Sequence, residues 1–303
     1  MSDLYKSQAK SAVADQPATK PIQTRERARA RSRGWLLILD YLFYAVAAIV
    51  VYAFISYLYS FHELVLLYLP VFLQGTLTTL VISLVSIVLA TLFGFIGALG
   101  RLSRFAPIRW LAISYVEVVR GTPVLVQLLL WYYGVGFVLS SIGFDPFSVA
   151  FQVMTALQNN SLVPDAFNGY FYGILGLSFN YGAYLTEVFR TGIETVDKGQ
   201  TEAGLSLGLN SRQILRHIVL PQAIRITIPP FTNYFITLIQ DSALLSVLSL
   251  IELEHVTYAL ALPQINANTK MFVFILGALF YLILCYPLAL LARYFERRIA
   301  VAY

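Results

Sequence analysis

Six apolar runs separated by shorter polar stretches form the pattern of this chain. A helix needs about 20 mostly apolar residues to cross a bilayer. The runs that reach this length are 35–58, 72–99, 121–140, 171–189, 222–246 and 271–292. Two shorter apolar pieces, VAFQVMTALQ (149–158) and IELEHVTYALAL (251–262), are predicted to lie in the membrane interface. The pattern therefore predicts an all-α membrane protein with about six transmembrane helices.

The composition agrees with a chain that is largely covered by lipid. Hydrophobic residues make up 58% and charged residues 12% of the 303 residues, whereas soluble domains are about half apolar and about a quarter charged. The one cysteine, Cys285, cannot form an intramolecular disulfide, and the three histidines lie far apart without a metal-ligand spacing. We therefore expect this chain to bind no metal and no cofactor of its own.

The Lys and Arg residues predict the orientation, because these residues favour the cytoplasmic side of a membrane. If both termini are cytoplasmic, every Lys and Arg except Lys270 falls on the cytoplasmic side. Residues 1–34 are polar and end in several arginines, and we expect them to form a disordered tail that orients the first helix. No aromatic residues interleave these arginines, which argues against nucleic-acid binding.

The stretch EAGLSLGLNSRQILRHIVLP (202–221) lies on the cytoplasmic side in this topology, between the fourth and fifth apolar runs. Residues 199–209 are predicted to form a short helix on which Leu205 and Leu209 share a face. Gly208 is expected to stop this helix, because a residue without Cβ adopts the left-handed conformation at low cost.

A second helical piece is predicted directly after this stop. Asn210 or Ser211 can cap it, and Ile214 and Ile218 are spaced to share one face. Pro221 is expected to mark the entry to the next span. The segment is thus predicted to be a rigid elbow that presents a short helix to the cytoplasm. By shape alone, a helix that lies passively at the interface is an equal alternative.

The same stretch resembles the EAA loop of binding-protein-dependent importers of the ATP-binding cassette (ABC) type. The pattern of that loop is E-A-A, three residues, G, nine residues, I, one residue and L-P. The residues that match it, with every spacing intact, are Glu202, Ala203, Gly208, Ile218, Leu220 and Pro221. Gly204 stands where the pattern has its second alanine, which should weaken the helix by less than about 1 kcal/mol. In that family the short helix docks in a groove of the ATP-binding subunit and transmits its closure to the membrane helices.

Four further segments look like permeases of the polar amino acid uptake subfamily, the histidine and glutamine type. They are GTLTTLVISL (75–84), VEVVRGTPVLVQLLLWYYG (116–134), NYGAYLTEVFRTGIETVDKGQTEAGLSLG (180–208) and QDSALLSVLSLIEL (240–253). The resemblance implies a five-helix permease domain over 70–298. The residues outside it are then the tail at 1–34, an extra helix with its outer connection at 35–69, and a short tail at 299–303.

The resemblance also implies the partners and the location of the chain. They are two copies of an ABC ATPase, a second permease subunit (the same chain or a sister chain), an external solute-binding protein and the lipid of a bacterial inner membrane. The chain has no phosphate-binding loop of the form G-x-x-x-x-G-K-S/T. It is therefore expected not to be an enzyme, and ATP and Mg²⁺ are expected to be used by the partner ATPase.

The alternative function is that of a secondary amino acid transporter or channel without an ATPase partner. Such a protein needs no coupling helix and commonly shows paired internal repeats. The sequence shows no such repeat.

Three polar residues within or near the apolar runs are candidates for the substrate pathway: Glu187, Asp241 and Gln127. Ionisable residues at membrane depth are costly and mark functional sites. The family resemblance adds weight to Glu187 as a binding residue. The alternative role for Glu187 is a salt bridge to Arg190. Asp241, with Ser242 and Ser246 as partners, either serves a gate or caps the following short helix.

Two further groups of residues are expected to be structural. Arg120, in the segment RGTP, is spaced to pair with Glu117. The small residues Ala90, Gly94, Gly97 and Gly100 are expected to allow close packing between helices rather than to line a pore.

Overall fold

All secondary structure in the described parts of the chain, residues 22–143 and 167–300, is helical in this computed structural model. The first part contains α1 (Ile22–Tyr59), α2 (His62–Arg101), α3 (Ala106–Arg120), α4 (Val124–Leu129) and α5 (Gly136–Ser141), with a π-helical turn (Leu130–Val135) between α4 and α5. The second part contains α6 (Phe167–Glu194), α7 (Lys198–Ser206), α8 (Ser211–Ile214), α9 (Leu220–Asp241), α10 (Leu253–Ala261) and α11 (Ala267–Ala300). A π-helical turn (Leu215–Val219) joins α8 to α9, and a 3-10 helix (Ser242–Leu248) follows α9.

The chain divides into two compact units, one up to His62 and one from Glu63 onwards. The first unit contains α1, which begins at Ile22. Residues 22–34 are therefore helical in the structure, whereas the sequence favours a disordered tail over 1–34. These residues are mostly Arg, Ala, Glu and Gln, which have high helix propensity and extend the apolar helix towards the N-terminus.

The number of spans depends on how bent helices are counted. Three described helices are long and apolar enough to cross a membrane, and this number rises to five if each of two bent helix pairs is one span. The predicted span 171–189 lies in α6, which has 28 residues but is more polar than these helices. Helix α2 already begins at His62 and continues through Pro70, so the end of the segment 35–69, expected to be an outer connection, is helical.

The predicted third span, 121–140, starts too late in the chain. In the structure, Ala106–Arg120 and Val124–Val135 form a bent pair that meets at 108°. The break falls at Pro123, whose backbone is extended. Proline lacks an N–H group and disfavours helical conformation in the residue before it. Arg120 thus lies at the break inside the bent pair.

The two apolar pieces predicted at the interface have different outcomes. VAFQVMTALQ (149–158) lies outside the described residues. IELEHVTYALAL contains α10, on which Leu253, Val256 and Ala261 are buried. This helix packs against α11 within the second unit, and its position at the membrane interface stays a prediction.

Helix α6 lies at the centre of the second unit, where α3, α4 and α9 pack against it. Helix α2 approaches α6 through small residues: a Cβ on Gly94 would lie 2.6 Å from Cβ of Leu185, and one on Gly97 would overlap Thr186. Gly100 packs in the same way on Ala112 of α3. The prediction that these glycines serve close packing is confirmed.

Candidate functional site

The elbow at 202–221 begins with α7, which is capped at its N-terminus. Oδ1 of Asp197 accepts a hydrogen bond of 2.6 Å from the N–H group of Gly199. A carboxylate at this position satisfies a backbone donor that has no partner within the helix. The helix extends over Lys198–Ser206, close to the predicted range of 199–209.

The first helix stops at Gly208, as predicted. Gly208 has a φ of +79°, with no atom near the position of a Cβ. The N–H group of Leu209 donates to the carbonyl of Gly204 at 3.1 Å, and the N–H group of Gly208 donates to that of Leu205 at 2.9 Å. These bonds satisfy the last carbonyls of the helix while the left-handed residue turns the chain away.

The second helical piece is capped by Asn210, one of the two residues predicted for this role. Oδ1 of Asn210 accepts from the N–H group of Gln213, and Oε1 of Gln213 accepts from the N–H group of Asn210, each at 2.9 Å. This reciprocal pair is a capping box, which fixes the position at which the helix begins.

Pro221 lies in the first turn of α9, so the prediction that it marks the entry to the next span is confirmed. Ser211–Leu248 is continuous enough to count as one helical segment. In the π-helical turn before Pro221, the N–H group of Leu220 donates a hydrogen bond to the carbonyl of Leu215. This wider turn accommodates a residue without an N–H group inside the helix, so the chain reverses only around Gly208.

A small apolar cluster fastens the elbow to the end of the membrane helices. Ile214 and Val219 are buried in it, with Ile218 and Leu209 packed against them. The predicted shared face of Ile214 and Ile218 is confirmed. A Cβ on Gly204 would lie 3.0 Å from Ile214 and 3.1 Å from Ile218, so the glycine that departs from the EAA pattern lets the two helical pieces approach closely.

The opposite side of α7 faces solvent. We name as the docking surface the exposed residues Glu202, Ala203, Leu205 and Ser206 of α7 together with Leu207, which caps its C-terminus. Leu207 is 82% exposed and Leu205 54% exposed. The predicted shared face of Leu205 and Leu209 is wrong, because Leu209 lies beyond the end of α7. Exposed leucines on a short helix at the end of a polar loop are typical of a surface that another protein covers.

Glu187 lies on α6 between two arginines. Its Oε2 accepts from Nε and Nη2 of Arg190, at 3.0 and 2.7 Å. Arg101, at the end of α2, forms an ion pair of 3.1 Å with the other carboxylate oxygen. Arg190 also binds Glu194. The salt bridge to Arg190 that was the alternative for Glu187 is therefore present, and it extends to α2.

Asp241 is the last residue of α9. Its Oδ2 accepts a hydrogen bond of 2.7 Å from the hydroxyl of Tyr181 on α6. The side chain makes no capping bond to the 3-10 helix that follows, so the predicted capping role is wrong. Ser242 and Ser246 donate to backbone carbonyls, and they are not the partners of this carboxylate.

Gln127 is buried at the break between α3 and α4. Its Nε2 donates to the carbonyl of Val119 at 2.7 Å and to the carbonyl and hydroxyl of Thr122. Its Oε1 accepts from Nδ2 of Asn180 on α6 at 3.1 Å. The amide therefore closes the break and fastens it to α6.

A row of tyrosines connects Arg120 to Asp241, and the sequence does not predict it. The Arg120 guanidinium lies 5.2 Å from the ring centre of Tyr184. Tyr184 packs against Tyr234 of α9 at 5.3 Å and against Tyr181 at 6.2 Å. In the described residues Arg120 has no ion pair with Glu117. The spacing of Tyr181 and Tyr184, three apart on α6, was the signal available for this row.

Glu252 was also missed. It is fully buried, and its carboxylate accepts from the N–H groups of Glu254 and His255 at the start of α10, at 2.9 and 2.7 Å. The hydroxyls of Tyr281 on α11 and Thr79 on α2 donate to the same carboxylate, at 3.0 and 3.4 Å. Glu252 thus ties three helices together.

Metal-binding geometry is not found within residues 22–143 and 167–300. No group of three or more His, Cys, Asp or Glu side chains there is placed to hold a metal ion. What these two ranges present is therefore a capped cytoplasmic elbow and a set of polar contacts around α6.

Residues 90–301 match a protein family described as binding-protein-dependent transport system inner membrane component. The chain is 34% identical over 197 residues to the L-cystine transport system permease protein TcyB of Bacillus subtilis (strain 168), covering 65% of this chain and 73% of that protein. It is 34% identical over 199 residues to the probable glutamine ABC transporter permease protein GlnM of the same organism, covering 66% and 79%. It also matches a crystal structure of an amino acid ABC transporter with histidines, with a TM-score of 0.63 and 31% identity over 77% of this chain and 96% of that one.

Proposed function

The chain belongs to the family of binding-protein-dependent transport system inner membrane components, and we propose that it is the permease subunit of an ABC importer for polar amino acids. The relatives named for cystine and glutamine transport support this substrate class. Family membership argues against the alternative of a secondary transporter or channel that works without an ATPase.

The observation that carries the proposal is the geometry of the elbow. Its first helix is capped at Asp197 and stopped at Gly208, and its second begins at the capping box of Asn210. Because both helical pieces are fixed in this way, a movement of the docking surface is passed on to α9 without bending within the elbow. The EAA residues Glu202, Ala203, Gly204, Gly208, Ile218, Leu220 and Pro221 are thus proposed to couple the chain to the ATPase.

The partners follow from this role. We propose that two copies of an ABC ATPase bind ATP and Mg²⁺, that a second permease subunit completes the pathway, and that an external binding protein delivers the amino acid. The chain itself carries no cofactor in this scheme. It lies in the bacterial inner membrane with both termini cytoplasmic. The arginines at the ends of α2, α6 and α11 support this orientation, because all of these ends are then cytoplasmic.

The three predicted pathway residues fit this role to different degrees. Asp241 accepts one hydrogen bond, from Tyr181, and is only half-buried. The carboxylate of Glu187 is paired with two arginines. Both the nitrogen and the oxygen of the Gln127 side-chain amide are hydrogen-bonded. We therefore propose that Asp241 faces the substrate, and that Glu187 and Gln127 hold the walls of the pathway in place.

Replacing Glu187 by Gln is expected to lower uptake by roughly fivefold to thirtyfold, the change that 1–2 kcal/mol produces. Without the carboxylate charge, Arg101 and Arg190 repel each other at the contact between α2 and α6. Uptake in proteoliposomes measures the effect, and co-purification with the ATPase should be unchanged. The matched control is Glu194→Gln, which removes the more exposed partner of Arg190. Wild-type uptake of every amino acid by Glu187→Gln would exclude Glu187 from the pathway wall.

Cross-linking tests the proposed docking surface directly. Cys285 is the one cysteine of the sequence and is buried. In a Cys285→Ser background, a cross-link therefore forms only at a cysteine that is introduced on purpose. Leu207→Cys in that background is expected to cross-link to an ABC ATPase expressed with the chain. Ile142→Cys, which is 72% exposed and lies away from the elbow in sequence, is the control and should not cross-link. Equal cross-linking at both positions, or none at Leu207→Cys while the proteins co-purify, would contradict the docking surface.

A further inference from the structure

An apolar cavity lies between α6 and α9, with α2 on its third side. Its volume is about 410 Å³, and its lining is apolar almost throughout. On α9 the lining runs from Leu220 to Phe231, which is about 16 Å at about 1.5 Å per residue. Phe95 and Ile224 line the cavity and are exposed. The cavity is therefore open at the surface of the chain.

The depth of this cavity matches one leaflet of a bilayer. Leu220 is the first residue of α9, and in the orientation proposed above this end of the helix is cytoplasmic. The hydrocarbon layer is about 30 Å thick, so each leaflet takes about half of it. The cavity therefore extends from the cytoplasmic surface of the membrane to about its middle.

A second cavity, of about 660 Å³, adjoins the first at its cytoplasmic end. Ile193 of α6 lines both cavities, and Val219, which lines the second, directly precedes Leu220, which lines the first. The polar residues that line the second cavity are Glu194, Lys198, Thr201 and Ser211. We name the two cavities together the α6–α9 groove. This groove changes from apolar to polar where the membrane helices end.

The polar cavity carries one positive and one negative side chain. Lys198 is exposed, and its ammonium group has no ion pair or hydrogen bond within the described residues. Glu194 binds Arg190 through one carboxylate oxygen, which leaves the other oxygen for a ligand. The hydroxyls of Thr201 and Ser211 have no partner in the described parts of the chain. Donors for an anion and an acceptor for a cation therefore line the same cavity.

We propose that the α6–α9 groove binds a phospholipid of the inner leaflet whose headgroup carries a phosphate and a primary ammonium group. One acyl chain lies in the apolar cavity. The phosphate accepts hydrogen bonds from Lys198 and from the hydroxyls of Thr201 and Ser211, and the ammonium group donates to Glu194. This site goes beyond the proposed transport function and takes from it only the orientation of the chain.

The ATPase is the competing occupant of the polar cavity. Leu205, which belongs to the docking surface, also lines this cavity. A cytoplasmic ATPase does not fill the adjoining apolar cavity, however, because that cavity lies at the depth of the hydrocarbon layer. A lipid fills both, since it joins an acyl chain to a polar headgroup.

The two charged side chains select the headgroup. A headgroup with phosphate and glycerol brings an anion next to Glu194 without a cation to bind it. A choline headgroup has no N–H group to donate. The missing charge-assisted bond should weaken binding by about 3-fold to 10-fold, at the low end for such bonds because Glu194 is 51% exposed.

The experiment uses the purified complex of this chain with its ATPase, in nanodiscs of phosphatidylcholine. The probe is phosphatidylethanolamine with a photoactivatable diazirine in one acyl chain, and mass spectrometry locates the labelled residues. Unlabelled phosphatidylethanolamine or phosphatidylglycerol then replaces part of the phosphatidylcholine as competitor. The variants are Ile224→Trp, which fills the apolar cavity, Lys198→Gln and Glu194→Gln. The controls are Ile283→Trp and Glu63→Gln, at exposed residues that line neither cavity.

Wild type should be labelled on α9 between Leu220 and Phe231, and phosphatidylethanolamine should compete at about 3-fold to 10-fold lower concentration than phosphatidylglycerol. Ile224→Trp should lose the label, and its control should keep it. Glu194→Gln should lose the preference between the two competitors, whereas Lys198→Gln should weaken both. A residue that merely stabilises the fold would not change the headgroup preference.

Label spread evenly over the exposed apolar residues of the chain, or equal competition by the two lipids in wild type, would overturn the site. A disulfide between two copies of Ile224→Cys in the Cys285→Ser background, with no label in the groove, would also overturn it, because a second copy would then cover the groove. Absence of label in a complex that carries out ATP-dependent uptake would remove the lipid site and leave the proposed function standing. A labelled groove in a complex without uptake would instead contradict the proposed function and support the lipid site.

Discussion

Replacing Gly208 by Val should abolish the coupling of ATP hydrolysis to uptake while the membrane helices still insert. At a φ of +79°, a β-branched side chain is strained by roughly 1–3 kcal/mol. The chain can relieve this strain only by rotating α7 against the second helical piece, which tilts the docking surface. We expect weaker docking of the ATPase, or hydrolysis that proceeds without uptake, both measured in proteoliposomes.

Gly143 provides a matched control for this substitution. It has the same φ of +79°, and no atom lies near the position of its Cβ either. Gly143→Val introduces the same backbone strain at a position far from the elbow in sequence. It should leave coupling unchanged even if it lowers stability. Equal uncoupling by both variants, or wild-type coupling in Gly208→Val, would remove the elbow from the mechanism.

Replacing Glu252 by Leu should cause a large loss of stability. The substitution removes the acceptor for two N–H groups of α10 and for the hydroxyls of Thr79 and Tyr281. Buried donors left without partners cost about 1–3 kcal/mol each, so we expect the variant to lose roughly 3–5 kcal/mol in all. The loss should appear as a lower melting temperature of the purified complex in detergent.

Two neighbouring substitutions separate this role from a general sensitivity of the region. Glu252→Gln keeps one acceptor oxygen and should lose less than half as much stability as Glu252→Leu. Glu254→Gln changes the adjacent carboxylate, which is only half-buried, and should stay close to wild type. A melting temperature of Glu252→Leu equal to that of Glu254→Gln would contradict the role of Glu252 as the tie between three helices.

The elbow was predicted from sequence because its determinants are local. A left-handed glycine and a capping box each involve residues within three positions of one another. The small-residue face of α2 was predicted for a similar reason, since Gly94, Gly97 and Gly100 recur at helical spacing. Such signals do not depend on where the rest of the chain lies.

The features that were missed depend on contacts between distant parts of the chain. Thr79 and Glu252 are 173 residues apart, and Gln127 and Asn180 are 53 apart. Residues 106–120 were not predicted as part of a span because Arg109 and Glu117 interrupt the apolar pattern of α3. The position of Arg120 beside Tyr184 follows only from the way α3 packs on α6.

The central claim is that this chain converts ATP hydrolysis by a partner ATPase into uptake of an amino acid. The direct measurement is ATPase activity and amino acid uptake together, in proteoliposomes that contain this chain, its ATPase and, where needed, a second permease subunit. Adding the binding protein loaded with amino acid should stimulate hydrolysis, and uptake should require ATP and stop when the ATPase is inactivated. Uptake that continues at the same rate without ATP, or with an inactive ATPase, would contradict this account.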